Sequence, residues 1–273
     1  MFYLMFKIFA KHAAIFYSFY FPLIKYIAEK LDKLLRFLYR VLMYLDWNKK
    51  TSTEWMDHDQ DYFYQTRSEG LWFPYERGSI ARLYCSNLIG QKEKETLKPE
   101  KKLNILDLAS GDSFISQNFF HDISKTIVSI DLDESALKRG KDRIKNHKFM
   151  NKNHHFINGD IEKHEIKELI NLNNLDMKFN FILFNAAIEH FKEKELKFIF
   201  DSIKRVLSVD GIISIYTIIE KNDGDSFHHH ESFYESKEQL EDLLKIHFKY
   251  SKSYESLIEG RHNIYSVASN IKI

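Results

Sequence analysis

Three aspartates each close a short apolar run: Asp107 in "NILDLASGDSF", Asp131 in "IVSIDLDESALKRG" and Asp160 in "INGD". A carboxylate at a strand end accepts hydrogen bonds from a ligand's hydroxyl or amine. Asp131 lies 24 residues beyond Asp107, a spacing at which the acid ending a second strand can meet the two hydroxyls of a ribose. The turn after Asp107 is tight and polar. Dinucleotide-binding loops at such a turn are built of glycines, yet here Gly111 stands between Ala109 and Ser113.

Other groups could handle protons or anions. The chain has 13 histidines, of which His190 follows "FNAAIE" and His228, His229 and His230 open "HHHESFYESKEQL". Neighbours in sequence rarely converge on one ion, and no acidic constellation matches them, so no metal is expected. Tyr64, Arg67, Tyr75 and Arg77 form an aromatic-basic cluster. It reads either as a lid over a carboxylate or other anion, or as packing for the N-terminal arm.

The elements that must position these groups show in the periodicity. Apolar runs "LNILDLA", "TIVSIDL", "HHFINGD", "FNFILFNAA" and "GIISIYTII" alternate with amphipathic segments at 133–146, 161–171, 191–207 and 236–246. Strands alternating with helices predict an α/β fold with a doubly wound, mostly parallel, Rossmann-like sheet. The last two runs, "HFKYSKSYESL" and "HNIYSVASNI", flank Gly260 with no helix between them, which predicts an antiparallel C-terminal hairpin. Ligands of such sheets bind beyond the carboxyl ends of the strands, where all three aspartates fall. Gly111, Gly159 and Gly211 are expected at turns, the last admitting the fifth strand after "SVDG".

Composition bounds the rest. With 273 residues, 44% of them hydrophobic, the chain can bury one sizeable core with an appendage. Lys+Arg 40 against Asp+Glu 39 gives no global attraction to nucleic acid, so a small-molecule partner is expected instead. A single cysteine, Cys85, excludes an intramolecular disulfide and fits a reducing, cytoplasmic setting. Only 9 glycines and 3 prolines are present, so each glycine is informative.

The organisation expected is an amphipathic helical arm over 1–46, a helical or lid segment with a charged linker over 47–100, and a ligand-binding domain over 101–273. In the arm, apolar residues recur from Ile27 through Leu31, Leu34, Leu35, Leu38, Leu42 and Leu45. Up to Leu45, seven basic residues outweigh Glu29 and Asp32, a local charge of +5. The uncharged run from Ala13 to Ile24 is short for a spanning helix. Two readings stay open: packing on its own domain or on a second subunit, and peripheral contact with an anionic membrane at its cytoplasmic face.

From about residue 100 to 270 the chain resembles the class I S-adenosylmethionine-dependent methyltransferases. "LDLASGDS" is similar to that family's acid followed by G-x-G-x-G, with Ala109, Gly111 and Ser113 at the glycine positions. "AAIEHFKEKELKFIFDSIKRVLSVDGIISIYT" is similar to its fourth and fifth strands with the acidic-His pair between. The branch most resembled includes ubiquinone-pathway and surface-sugar methyltransferases. Ala109 is a small departure provided its backbone angles are those of an ordinary L-residue.

The resemblance implies S-adenosyl-L-methionine as cofactor. Backbone at Ala109, Ser110 and Gly111 would lie along its amino acid end, and Asp131 with Leu132 would hold the ribose. Asp160 and Ile161 would meet the adenine, Asn185 would line the cleft, and Asp107 would fix the loop or reach the cofactor's amino group through water. Methyl transfer to a hydroxyl needs a base. His190, His229 and His230 are the candidates, with Tyr75 and Arg77 facing substrate. The implied reaction is methylation of a small molecule, on a hydroxyl of a sugar, lipid-linked or phosphorylated acceptor. N-methylation and a catalytically silent partner protein of the same fold are the alternatives.

Overall fold

A computed structural model describes Tyr26, Lys30 and residues 77–85, 102–146, 153–219, 230–258 and 261–272. The chain divides into two compact units, Met1–Met56 and Asp57–Ile273. In the first, Tyr26 and Lys30 are helical, and the Lys30 ammonium stands 5.3 Å from the Tyr26 ring centroid. The rest of the expected arm, and most of 47–100, lies outside the described residues. Among the described residues no helix is long and apolar enough to cross a membrane.

The second unit is built on one seven-stranded sheet. Its strands are β1 (Leu103–Leu108), β2 (Ser124–Asp131), β3 (His154–Asn158), β4 (Phe179–Asn185), β5 (Leu207–Ile218), β6 (Tyr250–Ile258) and β7 (Arg261–Ser269). Among the described residues its helices are α1 (77–85), α2 (Phe114–Phe120), α3 (Glu134–Asn146), α4 (Ile166–Leu172), α5 (Glu193–Val206) and α6 (Lys237–His247), with a 3-10 turn at Ile188–His190. The order across the sheet is β3-β2-β1-β4-β5-β7-β6. The first five are parallel, whereas β7 runs antiparallel to both β5 and β6. The doubly wound sheet with its C-terminal hairpin is thus the one the periodicity predicts.

Central parallel strands are covered on both faces and so read as continuous apolar runs. In β1, Leu106 and Leu108 pack with Val128, Ile130, Ile182 and Phe184 in one layer. Leu103 and Ile105 join Ile127, Phe181 and Leu183 in the other, where α1 contributes Ala81 and Cys85.

The entry to β5 differs from the expected turn. The strand already begins at Leu207, and its register against β4 slips between Phe179–Leu207 and Phe181–Ile212. Gly211 sits in this bulge. A Cβ there would lie 2.6 Å from Leu207 Cδ1 and 3.0 Å from the Phe179 carbonyl oxygen. Close approach, and no turn, is what requires the glycine.

Candidate functional site

The strand order reverses between β1 and β4, so the crevice at their carboxyl ends is the expected ligand position. The chain leaves β1 through a loop of left-handed residues: φ is 48° at Ala109, 53° at Gly111 and 58° at Ser113. All three positions of the glycine pattern therefore keep a conformation that glycine adopts freely and L-residues adopt at a cost. Ala109 does not have the ordinary angles its small side chain suggests. Hydrogen bonds hold the loop: the Ser110 N–H donates to the Ile130 carbonyl at 3.2 Å, and the Ser113 N–H to that of Ser110 at 2.9 Å.

A latch to α3 fixes the loop from behind. Arg143 pairs with the Asp112 carboxylate and also donates to the Asp112 carbonyl at 2.9 Å and to Gln117 Oε1 at 2.8 Å. Gln117 Nε2 donates to the Gly140 carbonyl at 2.9 Å. A Cβ on Gly140 would come within 2.7 Å of the Asp112 carbonyl oxygen, so the helix can approach this closely only with glycine there.

Asp131, at the end of β2, ties the loop from the other side. Its carboxylate accepts the Gly111 N–H at 2.6 Å and the Asp133 N–H at 2.8 Å. Burial pushes its carboxyl up to about 6, opposed by those two backbone donors. Leu132 beside it is 44% exposed, an apolar surface open at the strand end. The Asn158 amide donates to the Leu132 carbonyl at 2.8 Å.

Beyond β3, Ile161 is buried. Asp160 accepts the Lys163 ammonium at 2.6 Å and the Glu162 N–H at 3.0 Å. Partial burial, the largest single effect, raises the Asp160 carboxyl, but the hydrogen bond and charge of Lys163 and the Glu162 and Lys163 N–H groups together outweigh it and leave the group below its ordinary range.

Asp107 is enclosed in β1, and burial lifts its carboxyl to about 8 against a lowering hydrogen bond from Ser116. Its Oδ2 has no hydrogen-bond partner. One strand over, both polar atoms of the Asn185 amide are also buried without a partner. The register pairs Leu108 with Phe184, so the two strands end side by side. A buried polar atom left unpaired costs about 1–3 kcal/mol, so this group asks for a ligand carrying both donors and acceptors.

Past Asn185 the chain turns at Ala186, with φ 52°, whose N–H donates to the Tyr216 carbonyl at 2.8 Å. The 3-10 turn then presents Glu189 inward, 4% exposed, and His190 outward. Thr217 Oγ1 donates to Glu189 Oε2 at 2.9 Å. The Glu189 carbonyl accepts the Glu231 and Ser232 N–H groups at 2.8 and 3.0 Å. This brings His230 beside His190, their rings 5.1 Å apart and edge to face. Two of the three histidines singled out by sequence are thus brought together, while His229 and Tyr75 lie outside the described residues.

Arg77, at the start of α1, lays its guanidinium 4.5 Å from the Tyr216 ring centroid. Its Nε is buried and unpartnered, and Tyr216 pairs in register with Asn185. A cation is therefore available at the same strand ends.

In the sequence Glu189 shows only as the acid of the acidic-His pair, with no role of its own. Nor does the sequence show the Asp112–Arg143–Gln117 latch, whose members are separated by helix and strand and share no local pattern.

A family model described as "Methyltransferase domain" matches residues 99–263. No curated protein sequence matches. Among solved structures, the chain is similar to an S-adenosylmethionine-dependent methyltransferase from Clostridium acetobutylicum. That protein is 13% identical with a TM-score of 0.52, over 78% of this chain and 98% of that one. N-methyltransferase NodS from Bradyrhizobium japonicum is 11% identical with a TM-score of 0.52, over 75% and 99%. Magnesium protoporphyrin IX methyltransferase from Synechocystis, with bound SAH, is 10% identical with a TM-score of 0.51, over 77% and 94%. The chain belongs to the methyltransferase-domain family.

Proposed function

We propose that this methyltransferase takes S-adenosyl-L-methionine as its donor and methylates a hydroxyl of a small molecule, sugar-like, lipid-linked or phosphorylated. The observation that carries the reading is the partnerless buried set of Asp107 Oδ2 and the Asn185 amide, beside a left-handed loop. An amino acid end offers the ammonium and carboxylate that such a set lacks. When bound, S-adenosylmethionine supplies a methyl carbon activated by its sulfonium, which departs as a neutral thioether.

The residues of the chain bind and orient. The backbone of Ala109, Ser110 and Gly111 allows close approach. Asp131, already holding the loop through Gly111, has further lone pairs for two ribose hydroxyls. Leu132 and Ile161 give apolar walls for an adenine, and Asp160 accepts its amine. Arg77 holds an anionic group, either the cofactor's carboxylate or one on the acceptor. For a hydroxyl acceptor, a nitrogen of His190 or His230 takes the proton as the oxygen–carbon bond forms and the carbon–sulfur bond breaks. His229 and Tyr75 keep the base and substrate roles expected of them. The arm over 1–46 serves as a contact with an anionic membrane or a second copy. Cosedimentation with anionic vesicles and the mass in solution separate these.

Calorimetry with S-adenosylmethionine and its demethylated product tests the reading. Binding of both is expected, and binding of neither would overturn it. A hydroxyl acceptor predicts that turnover falls when both His190 and His230 become alanine, with cofactor affinity kept. Turnover indifferent to both would favour an amine acceptor, which needs no base once neutral.

A further inference from the structure

We propose that Glu189, His190 and His230 form a divalent metal site of the zinc type on the acceptor side of the cleft. One ligand atom from each of the three lies within 4.8 Å of the others. Imidazole nitrogen and carboxylate oxygen bind zinc at about 2.0–2.2 Å, so ligands around one tetrahedral ion stand roughly 3.4 Å apart. The cluster is wider than that spacing, so the imidazoles close in on the carboxylate when an ion binds. His190 is exposed and His230 half-buried, which leaves both imidazoles room to turn.

The fixed member is Glu189. It is 4% exposed, and one oxygen is already oriented by the Thr217 hydroxyl at 2.9 Å. A second partner that orients a ligating carboxylate is what metal sites typically carry. The Glu189 carbonyl also binds the N–H groups of Glu231 and Ser232. The two halves of the cluster are therefore pinned together by main chain, although His230 lies 41 residues beyond Glu189. Local sequence does not show this convergence, because the acid that His230 meets, Glu189, precedes it by 41 residues.

Three protein ligands leave a fourth position open, which separates catalytic zinc sites from closed structural ones. That position would take water or the oxygen of an acceptor. An acceptor hydroxyl on the ion loses its proton more readily, as zinc-bound water does, and with His190 and His230 bound to the ion that proton passes to solvent water instead of to either imidazole. This role rests on the methyl-transfer reading above; the metal site itself does not.

The test uses the full chain, treated with chelator and then titrated with Co2+, followed by its visible absorption, and with Zn2+ by calorimetry. One ion per chain is expected. His190→Ala and His230→Ala should each weaken binding about tenfold or more, and Glu189→Gln should do so while keeping the Thr217 hydrogen bond. A His228→Ala/His229→Ala double variant serves as control and should keep the site. Binding that survives His190→Ala and His230→Ala, or that vanishes in the control, would overturn the proposal, as would no stoichiometric binding. S-adenosylmethionine calorimetry on the same samples separates the two failures. Cofactor affinity kept with no metal bound sinks the metal site alone, and metal bound without cofactor affinity sinks only the donor assignment.

Discussion

The two halves of the cleft are built differently. On the β1–β2 side, backbone does the work: Ala109, Gly111 and Ser113 all adopt positive φ, and Asp131 and Arg143 clamp the loop at the adjacent residues Gly111 and Asp112. On the β4–β5 side, side chains converge from distant points: Glu189 holds Thr217 and the main chain of 231–232, which delivers His230 to His190. The first half is shaped by backbone angles, as a mould for the proposed donor would be. The second is a set of functional groups on a turn, and such groups can change with the acceptor while the mould stays.

The sharpest way to break this contrast is Gly111→Val. A β-branched residue at φ 53° is strained, and under the proposed donor assignment its side chain would intrude where the cofactor meets backbone. Affinity for S-adenosylmethionine should fall about 100-fold, or roughly 3 kcal/mol, while Zn2+ affinity is unchanged. If Gly111→Val and His230→Ala each impair both ligands alike, the two halves are one unit and the contrast fails.

Asp107 gives a pH signature confined to the first half. Its carboxyl is raised to about 8, above an unfolded value of about 3.9. The native group stays protonated while the unfolded one ionises, so its contribution to stability is lost as pH rises from about 4 to about 8. Asp107→Asn cannot titrate. Its stability relative to wild type should therefore climb across that window, by something on the order of a few kcal/mol. Urea unfolding at pH 5 and pH 8 measures it. A saturating cofactor should flatten the slope, because an ammonium at Asp107 favours the charged form. A pH-independent difference would mean the carboxylate is already ionised.

Asp131→Ala should cost about 1–3 kcal/mol in cofactor affinity, since charge-assisted hydrogen bonds are lost. The structure adds a cost that spacing alone does not reveal. The Gly111 and Asp133 N–H groups lose their acceptor, so thermal stability should fall as well. Unchanged cofactor affinity in a folded variant would place the ribose elsewhere.

What was legible in sequence follows the same division. Strands β1, β2, β4 and β5 could be read because both-face burial leaves continuous apolar runs, the half-buried edge strand β3 because it falls between two amphipathic segments, and the C-terminal hairpin because no helix separates its strands. Asp107, Asp131 and Asp160 could be read because strand ends recur at fixed spacing in a wound sheet. Spacing does not encode backbone angle, so the left-handed Ala109 looked like an ordinary residue. Gly211 looked like a turn because "SVDG" is turn-like, whereas the bulge depends on the register against β4. The meeting of Glu189 with His230, 41 positions further along the chain, depends on β5 lying beside β4, a fact of sheet order.

The smallest expected effect tests both halves with one kind of change. Ala109, at φ 48°, opens the loop after β1, and Ala186, at φ 52°, begins the turn that carries the functional groups. An L-residue in this region is about 1–2 kcal/mol less favourable than in its ordinary conformation. Glycine escapes that cost but gives up roughly 0.5–1 kcal/mol of unfolded-state entropy. Ala109→Gly and Ala186→Gly should therefore each stabilise the fold slightly, by at most about 1 kcal/mol, read from the midpoint of urea unfolding. In the clamped loop the gain should come with unchanged cofactor affinity, because Asp131 and the Arg143 latch still define the loop. In the turn, which two main-chain hydrogen bonds to Glu189 hold in place, extra freedom should loosen the His190–His230 pair and weaken Co2+ binding. Equal indifference of both ligands to both substitutions would show that the turn is held as firmly as the loop. A loss of stability in either variant would contradict the left-handed angle at that alanine.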